Sequence, residues 1–202
     1  MIVRSPYSDL GLEKPNGDVP YTLSWRWSAD QFLKMISAGV IDEADRIELI
    51  DGEIICMSPA EVSHNRTVAN LNRCFVSVME SHEVLVQSTI RLSDTSVVDP
   101  DLAILKRPNS QDAGKLPTPE DVLLLVEVAH SSLKKDLSIK SELYAQASIP
   151  EYWVADIENA SLIVHRQPKR GRYGSCVTLR GQEQAIPELI AGIGMTPAAI
   201  FG

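Results

Sequence analysis

The chain has 202 residues, 44% of them hydrophobic and 23% charged, with a formal net charge of −8. That length and balance suit one domain, or one domain with an arm, able to bury a sizeable core, and they speak against global disorder. The acidic balance counts at first sight against a phosphate-backbone partner, because nucleic-acid binders usually show a basic footprint. No apolar run approaches the roughly 18–20 residues of a membrane helix, and the opening MIVRSPYSDL lacks a signal-peptide stretch. Cys56, Cys74 and Cys176 are odd in number and far apart, which argues against a disulfide framework and a zinc knuckle. The expectation is a cytoplasmic protein with no membrane partner.

Residues 1–21 mix Pro, Gly and charge without a period and read as an arm, with the folded domain over 22–202. Ser28 and Gln31 make a capping-box pair ahead of Phe32, Leu33, Met35 and Ile36, with Gly39 as the stop. Between Arg46 and Met57, two β-rich runs flank Asp51-Gly52, the clearest hairpin signal in the chain. A helix of about 17 residues follows by periodicity, with Val68, Leu71, Phe75, Val78 and Met79 on its apolar face.

Residues 83–92 and 97–105 read as strands. Pro100 lies inside the second, which should be at an edge, bulged or irregular there. Lys106 to Glu120 is a polar loop with three prolines, and 121–129 is a nearly continuous apolar run of the kind buried on both faces. A helix over about 135–147 and strands over 151–156, 160–166 and 173–179 complete a mixed α/β or α+β pattern with one sheet.

Three features carry chemistry. Asp99-Pro100-Asp101 puts two carboxylates in an apolar strand, and Glu127 is a lone charge inside a Leu-Leu-Leu-Val run. A buried carboxylate costs several kcal/mol unless it is paired or bound to a metal. The third is Lys140, which falls near the middle of an apolar arc made by Leu137, Ile139, Leu143, Tyr144 and Ala147. Spacing alone leaves two readings open. The lysine snorkels to water, or its ammonium faces the sheet, where it would offset phosphate charge or orient a water.

The order Pro100-Asp101, then Glu127-Val128-Ala129, then a helix with Lys140 resembles the PD-(D/E)XK nuclease superfamily. More specifically, the chain resembles the Uma2 family of restriction-endonuclease-like proteins. The likeness spans about residues 22–180 and runs through segments 38–53, Met57-Ser58-Pro59 with His64, 96–103, 117–129, 140–145 and 149–156. It implies a restriction endonuclease-like fold, a mixed central β-sheet flanked by helices with an N-terminal helical addition. Asp101 and Glu127 match the metal-binding carboxylates, with the backbone carbonyl of Val128 as third ligand. Such hard oxygen donors imply Mg²⁺ or Mn²⁺.

The superfamily lysine usually stands two residues after the glutamate, where this chain has Ala129; in the Uma2-like pattern it is on the next helix, where Lys140 matches. Glu48 matches a further active-site acid. His64 and Tyr144 are accessory candidates, Tyr144 more by packing than by reacting, and His130 departs from the Asp or Ser common after the Glu strand. The activity implied is a metal-dependent endonuclease hydrolysing phosphodiester bonds of nucleic acid, DNA before RNA, as a homodimer. The competing reading is a catalytically silent nuclease fold that binds nucleic acid or serves assembly. Basic pairs at Lys106-Arg107, Lys134-Lys135 and Lys169-Arg170, with Arg172 nearby, soften the objection from net charge.

Overall fold

The structure, a computed structural model, describes residues 25–42, 45–57, 59, 61–106 and 114–202. The arm expected over 1–21 and part of the 106–120 loop lie outside the described residues. Ser28 Oγ accepts the Gln31 amide and Gln31 Oε1 accepts the Ser28 amide, so the expected capping box opens α1 (Ala29–Ser37). β1 (Ile47–Ile50) and β2 (Glu53–Cys56) pair antiparallel across Asp51 and Gly52. Both turn residues have positive φ, 48° and 80°, as a tight hairpin requires. α2 (Val62–Phe75) buries Val68, Leu71 and Phe75, and a 3₁₀ turn carries it to Val78.

The strands expected over 83–92 and 97–105 are each divided in two. The first becomes β3 (His82–Val86) and β4 (Ile90–Arg91), the second β5 (Val97–Val98) and β6 (Leu102–Lys106). The physical reason lies at one level of the ribbon. Gln87 takes a left-handed φ of 46°, and Pro100 has no N–H to give to a ladder. β3 pairs with β6 and β4 with β5, so a single antiparallel ribbon turns a corner between two sheets.

The one sheet expected is therefore corrected to two. The smaller has strand order β2-β1-β5-β4. The larger also takes in β7 (Val122–Ala129), β8 (Glu151–Asp156), β9 (Ser161–Lys169) and β10 (Arg172–Arg180), in the order β10-β9-β8-β7-β6-β3. Among the described strands, only β7 and β8 pair in parallel. Their crossover is a helical segment made of α3 (Leu133–Lys135), a π turn (Asp136–Lys140) and α4 (Ser141–Gln146). α5 (Pro197–Phe201) ends the chain.

β7 is buried along its whole length, as the apolar run required. Leu124, Val126 and Val128 face a core shared with Leu71, Phe75 and Trp153. Leu125 and Ala129 face the other, with Leu143, Tyr144 and Tyr152. The helical arc expected around Lys140 needs correction. Leu137 and Ile139 are 38% and 52% exposed, because the π turn shifts the helix phase and buries Asp136 and Lys140 instead. Among the described residues, no helix is long and apolar enough to cross a membrane.

The β1–β2 turn holds Glu48 in its place, and it depends on Gly52. A Cβ there would stand 2.9 Å from Arg26 Cβ and 3.1 Å from the Trp27 carbonyl oxygen. Gly52→Ala should cost about 1–2 kcal/mol from the left-handed backbone alone, read by urea unfolding. A variant as stable as the wild type would contradict this account of the turn.

Candidate active site

The corner of the ribbon and the end of β7 meet. β6 and β7 pair with Leu102 opposite Val126, and one further step along this register sets Asp101 across from Glu127. Two carboxylates placed this way repel, so the pair needs cations. The chain supplies some of its own. His64, in the first turn of α2, brings Nε2 to 3.0 Å from Asp101 Oδ2. The same oxygen accepts the Val128 amide at 2.8 Å, and Oδ1 accepts Gln87 Nε2 at 3.2 Å.

Glu127 is held from the helical crossover. Lys140 Nζ donates to Glu127 Oε1 at 2.7 Å, and the Tyr144 hydroxyl donates to the same oxygen at 2.6 Å. Lys140 also lies 2.9 Å from Glu48 Oε1, reaching from the larger sheet to β1 of the smaller. Glu48 is fully buried and takes a second lysine, Lys135, at 3.1 Å on Oε2. Its Oε1 accepts the Asp99 amide as well.

These bonds set the charges. Burial opposes ionisation of Glu48 and Asp101, but lysines at the first and His64, Val128 and Gln87 at the second hold both below the ordinary carboxylate range. Glu127 goes the other way. Burial pushes it up to about 8 against the pull of Lys140, and the nearby Asp101, Asp136 and Glu48 add to the rise. Lys140 stays protonated, because Glu127, Glu48 and Asp136 more than offset the cost of burying its ammonium. His64 is raised by its bond to Asp101, against a smaller effect of burial.

A cavity of about 270 Å³ opens here, lined by Arg46, His64, Asp101, Glu127, Asp136 and Lys140 among others. The structure thus brings Asp101, Glu127, Val128, Lys140 and His64 to one cavity. Glu48 and Tyr144 touch Lys140 and Glu127 from behind and are not part of the wall. His130 is half-exposed at the rim, 3.3 Å from Glu61. Sequence reasoning missed Asp136, which is buried in the wall and accepts the Ser132 hydroxyl at 2.6 Å. Its signal was there: it stands one turn before Lys140, at the spacing that shares a helix face.

Among the described residues, no three His, Cys, Asp or Glu side chains converge as a ready-made metal cage. The donor set nevertheless fits a Mg²⁺-like ion, which commonly takes one or two carboxylates and keeps its waters. The fit rests on two carboxylates, Asp101 and Glu127, that line the same cavity. A strand residue points its N–H and C=O to the same edge. The Val128 carbonyl therefore lies on the Asp101 side of β7, where its amide is bonded.

A family model described as "Uma2: Putative restriction endonuclease" matches residues 29–198. Among solved structures, the chain is similar to "a putative nuclease belonging to DUF820 from Anabaena variabilis ATCC 29413". The identity is 13% and the TM-score 0.69, over 86% of this chain and 97% of that one. At that identity the likeness speaks for the fold alone, which is the restriction endonuclease-like fold expected. The type IIG restriction endonuclease BpuSI aligns at 17% identity over 55% of this chain and 12% of its own, with a TM-score of 0.37, and carries no argument. No curated protein matches the chain.

Lys140→Met should destabilise the fold by about 3–5 kcal/mol at neutral pH, because Glu48 and Glu127 are left buried without it. Adding Glu48→Gln should recover part of the loss in urea unfolding; a loss equal in both would contradict the pairing. The pH dependence has a definite sign. His64 is raised above 6.5 and Glu127 above 4.5, so the folded state keeps protons the unfolded chain gives up. Stability of the metal-free protein should therefore fall as pH rises from about 6 to about 8. His64→Gln should flatten that fall, and an unchanged slope would count against the His64–Asp101 pair.

Proposed function

Because the chain belongs to the Uma2 family, we propose that it is a metal-dependent endonuclease, with DNA the first nucleic acid to test. The observation that carries the reading is the meeting of Asp101, Glu127 and Lys140 at one cavity, from the residue before β6, from β7 and from the crossover helix. In this reading Asp101, Glu127 and the Val128 carbonyl would hold Mg²⁺ or Mn²⁺. Such an ion, when bound, polarises a phosphoryl oxygen and lowers the pKa of a water.

The chain's own groups do the rest. Lys140 keeps a fixed positive charge at the wall, where negative charge grows on the phosphorus oxygens in the transition state. Glu48 sets the position of Lys140 from its buried side, and the Tyr144 hydroxyl orients Glu127. Arg46, also in the wall, stands ready to meet phosphate. We place the protein in the cytoplasm, acting as a two-fold homodimer, since cutting two strands calls for two sites.

One observation favours the rival reading of a silent, nucleic-acid-binding module. Asp101 and Glu127 are each already answered by a base of this chain. Cleavage of plasmid and single-stranded DNA in Mg²⁺ or Mn²⁺ decides between the two. The wild type should cleave, Asp101→Ala should abolish cleavage, and Lys140→Ala should slow it by about 10²–10³-fold or more. Activity that survives Asp101→Ala, or no cleavage by the wild type, would overturn the catalytic reading.

A further inference from the structure

The lining of the cavity is of two kinds, and its depth and mouth bear on what form of nucleic acid can enter. Asp101, Glu127, Asp136 and Lys140 lie deep in it, each at most 6% exposed. A phosphate that reaches them has to pass inside the cavity rather than lie across its mouth. The volume of about 270 Å³ is room for roughly nine waters at about 30 Å³ each. That suits a phosphate with its own sugar, not a paired duplex.

The rim narrows the way in. Glu61, the residue before α2, and His130, the residue after β7, both line the cavity and meet at 3.3 Å. A B-form duplex, whose major groove alone is about 12 Å wide, cannot settle between elements joined this way. A single strand, free to turn about its backbone, can point one phosphate inward.

The rest of the lining includes an apolar strip. Ile55 of the edge strand β2, with Met57 and Pro59 after it, belongs to the cavity. The Met57 amide donates to the Arg46 carbonyl at 2.7 Å, which ties the strip to the start of β1. Such side chains read no base edge, but they suit a sugar and the face of an unpaired base. In a duplex those faces are stacked on their neighbours. The charge of the chain points the same way. A duplex held along its length needs cations for successive phosphates, whereas the net charge is −8 and Lys135 and Lys140 are already engaged by Glu48 and Glu127.

Resting on the nuclease reading above, we infer that the substrate is an unpaired strand of nucleic acid. One nucleotide is seated in the cavity, its phosphate toward Lys140 and its sugar and base against Ile55, Met57 and Pro59. In a two-fold dimer each site then takes one strand of a separated pair, and plasmid is cut where negative supercoiling opens it.

Three forms of one end-labelled DNA test this with the full chain in Mg²⁺ or Mn²⁺: the single strand, its blunt duplex, and a duplex with a central mismatched bubble. The single strand and the bubble should be cut about 10²-fold faster than the duplex, which has to be unpaired first. Fluorescence anisotropy with Asp101→Asn, without metal, reads entry apart from chemistry and should show the single strand bound more tightly than the duplex. Met57 is partly exposed, so its replacement spares the core. Adding Met57→Glu should weaken the single strand about tenfold and leave the duplex little changed.

Equal cleavage or equal binding of single strand and duplex overturns the inference while the nuclease reading stands. Single-strand binding untouched by Met57→Glu overturns it too. If none of the three forms is cut in either metal, the nuclease reading itself fails, and the inference falls with it.

Discussion

Everything at this site depends on where the ammonium of Lys140 is held. It sits between Glu127 at 2.7 Å and Glu48 at 2.9 Å, almost fully out of water. Burying one such charge costs several kcal/mol even after relaxation, and two close carboxylates are what makes it tolerable. The three residues come from the larger sheet, the smaller sheet and the crossover helix. The cluster is therefore both the joint between layers and the device that fixes a cation at the cavity wall. A lysine free to snorkel would have to be ordered during each turnover; this one is already in place.

The corner at Gln87 and Pro100 supplies the other half. By ending two ladders at one level, it parts the sheets where Asp101 stands opposite Glu127, and it leaves room there for a cavity. Carboxylates then gather around that opening: Glu48, Asp99, Asp101, Glu127 and Asp136 all act on one another's charge or on that of Lys140. Lys140, Lys135 and His64 answer only part of this negative charge. The net charge of −8 is thus not spread evenly as a barrier to phosphate. Part of it is turned inward, where a divalent ion would reverse the local sign.

The features legible in the sequence are those that local chemistry decides. The Ser28–Gln31 capping box, the Asp51-Gly52 turn and the apolar run of β7 each encode their own geometry, and each forms as expected. Pro100 announced an irregular strand, but not that Gln87 breaks its partner at the same level. That coincidence is a long-range fact, and it is what makes two sheets from one ribbon. The helix around Lys140 was legible in its result and not in its reasoning. A uniform 100° wheel put Leu137 and Ile139 inside, whereas the π turn exposes them and turns Asp136 inward. The family likeness named Asp101, Glu127, Lys140 and His64 as candidates; the bonds that His64 and Tyr144 make to the two acids come from the structure alone.

A crystal structure of the protein soaked in MnCl₂, read by anomalous scattering, locates the cation. One strong peak is expected in the cavity within about 2–2.5 Å of carboxylate oxygens from both Asp101 and Glu127 and of the Val128 carbonyl, with Lys140 still bridging Glu48 and Glu127. A cavity without a peak at saturating Mn²⁺, or an ion bound without Asp101 and Glu127, would contradict that expectation.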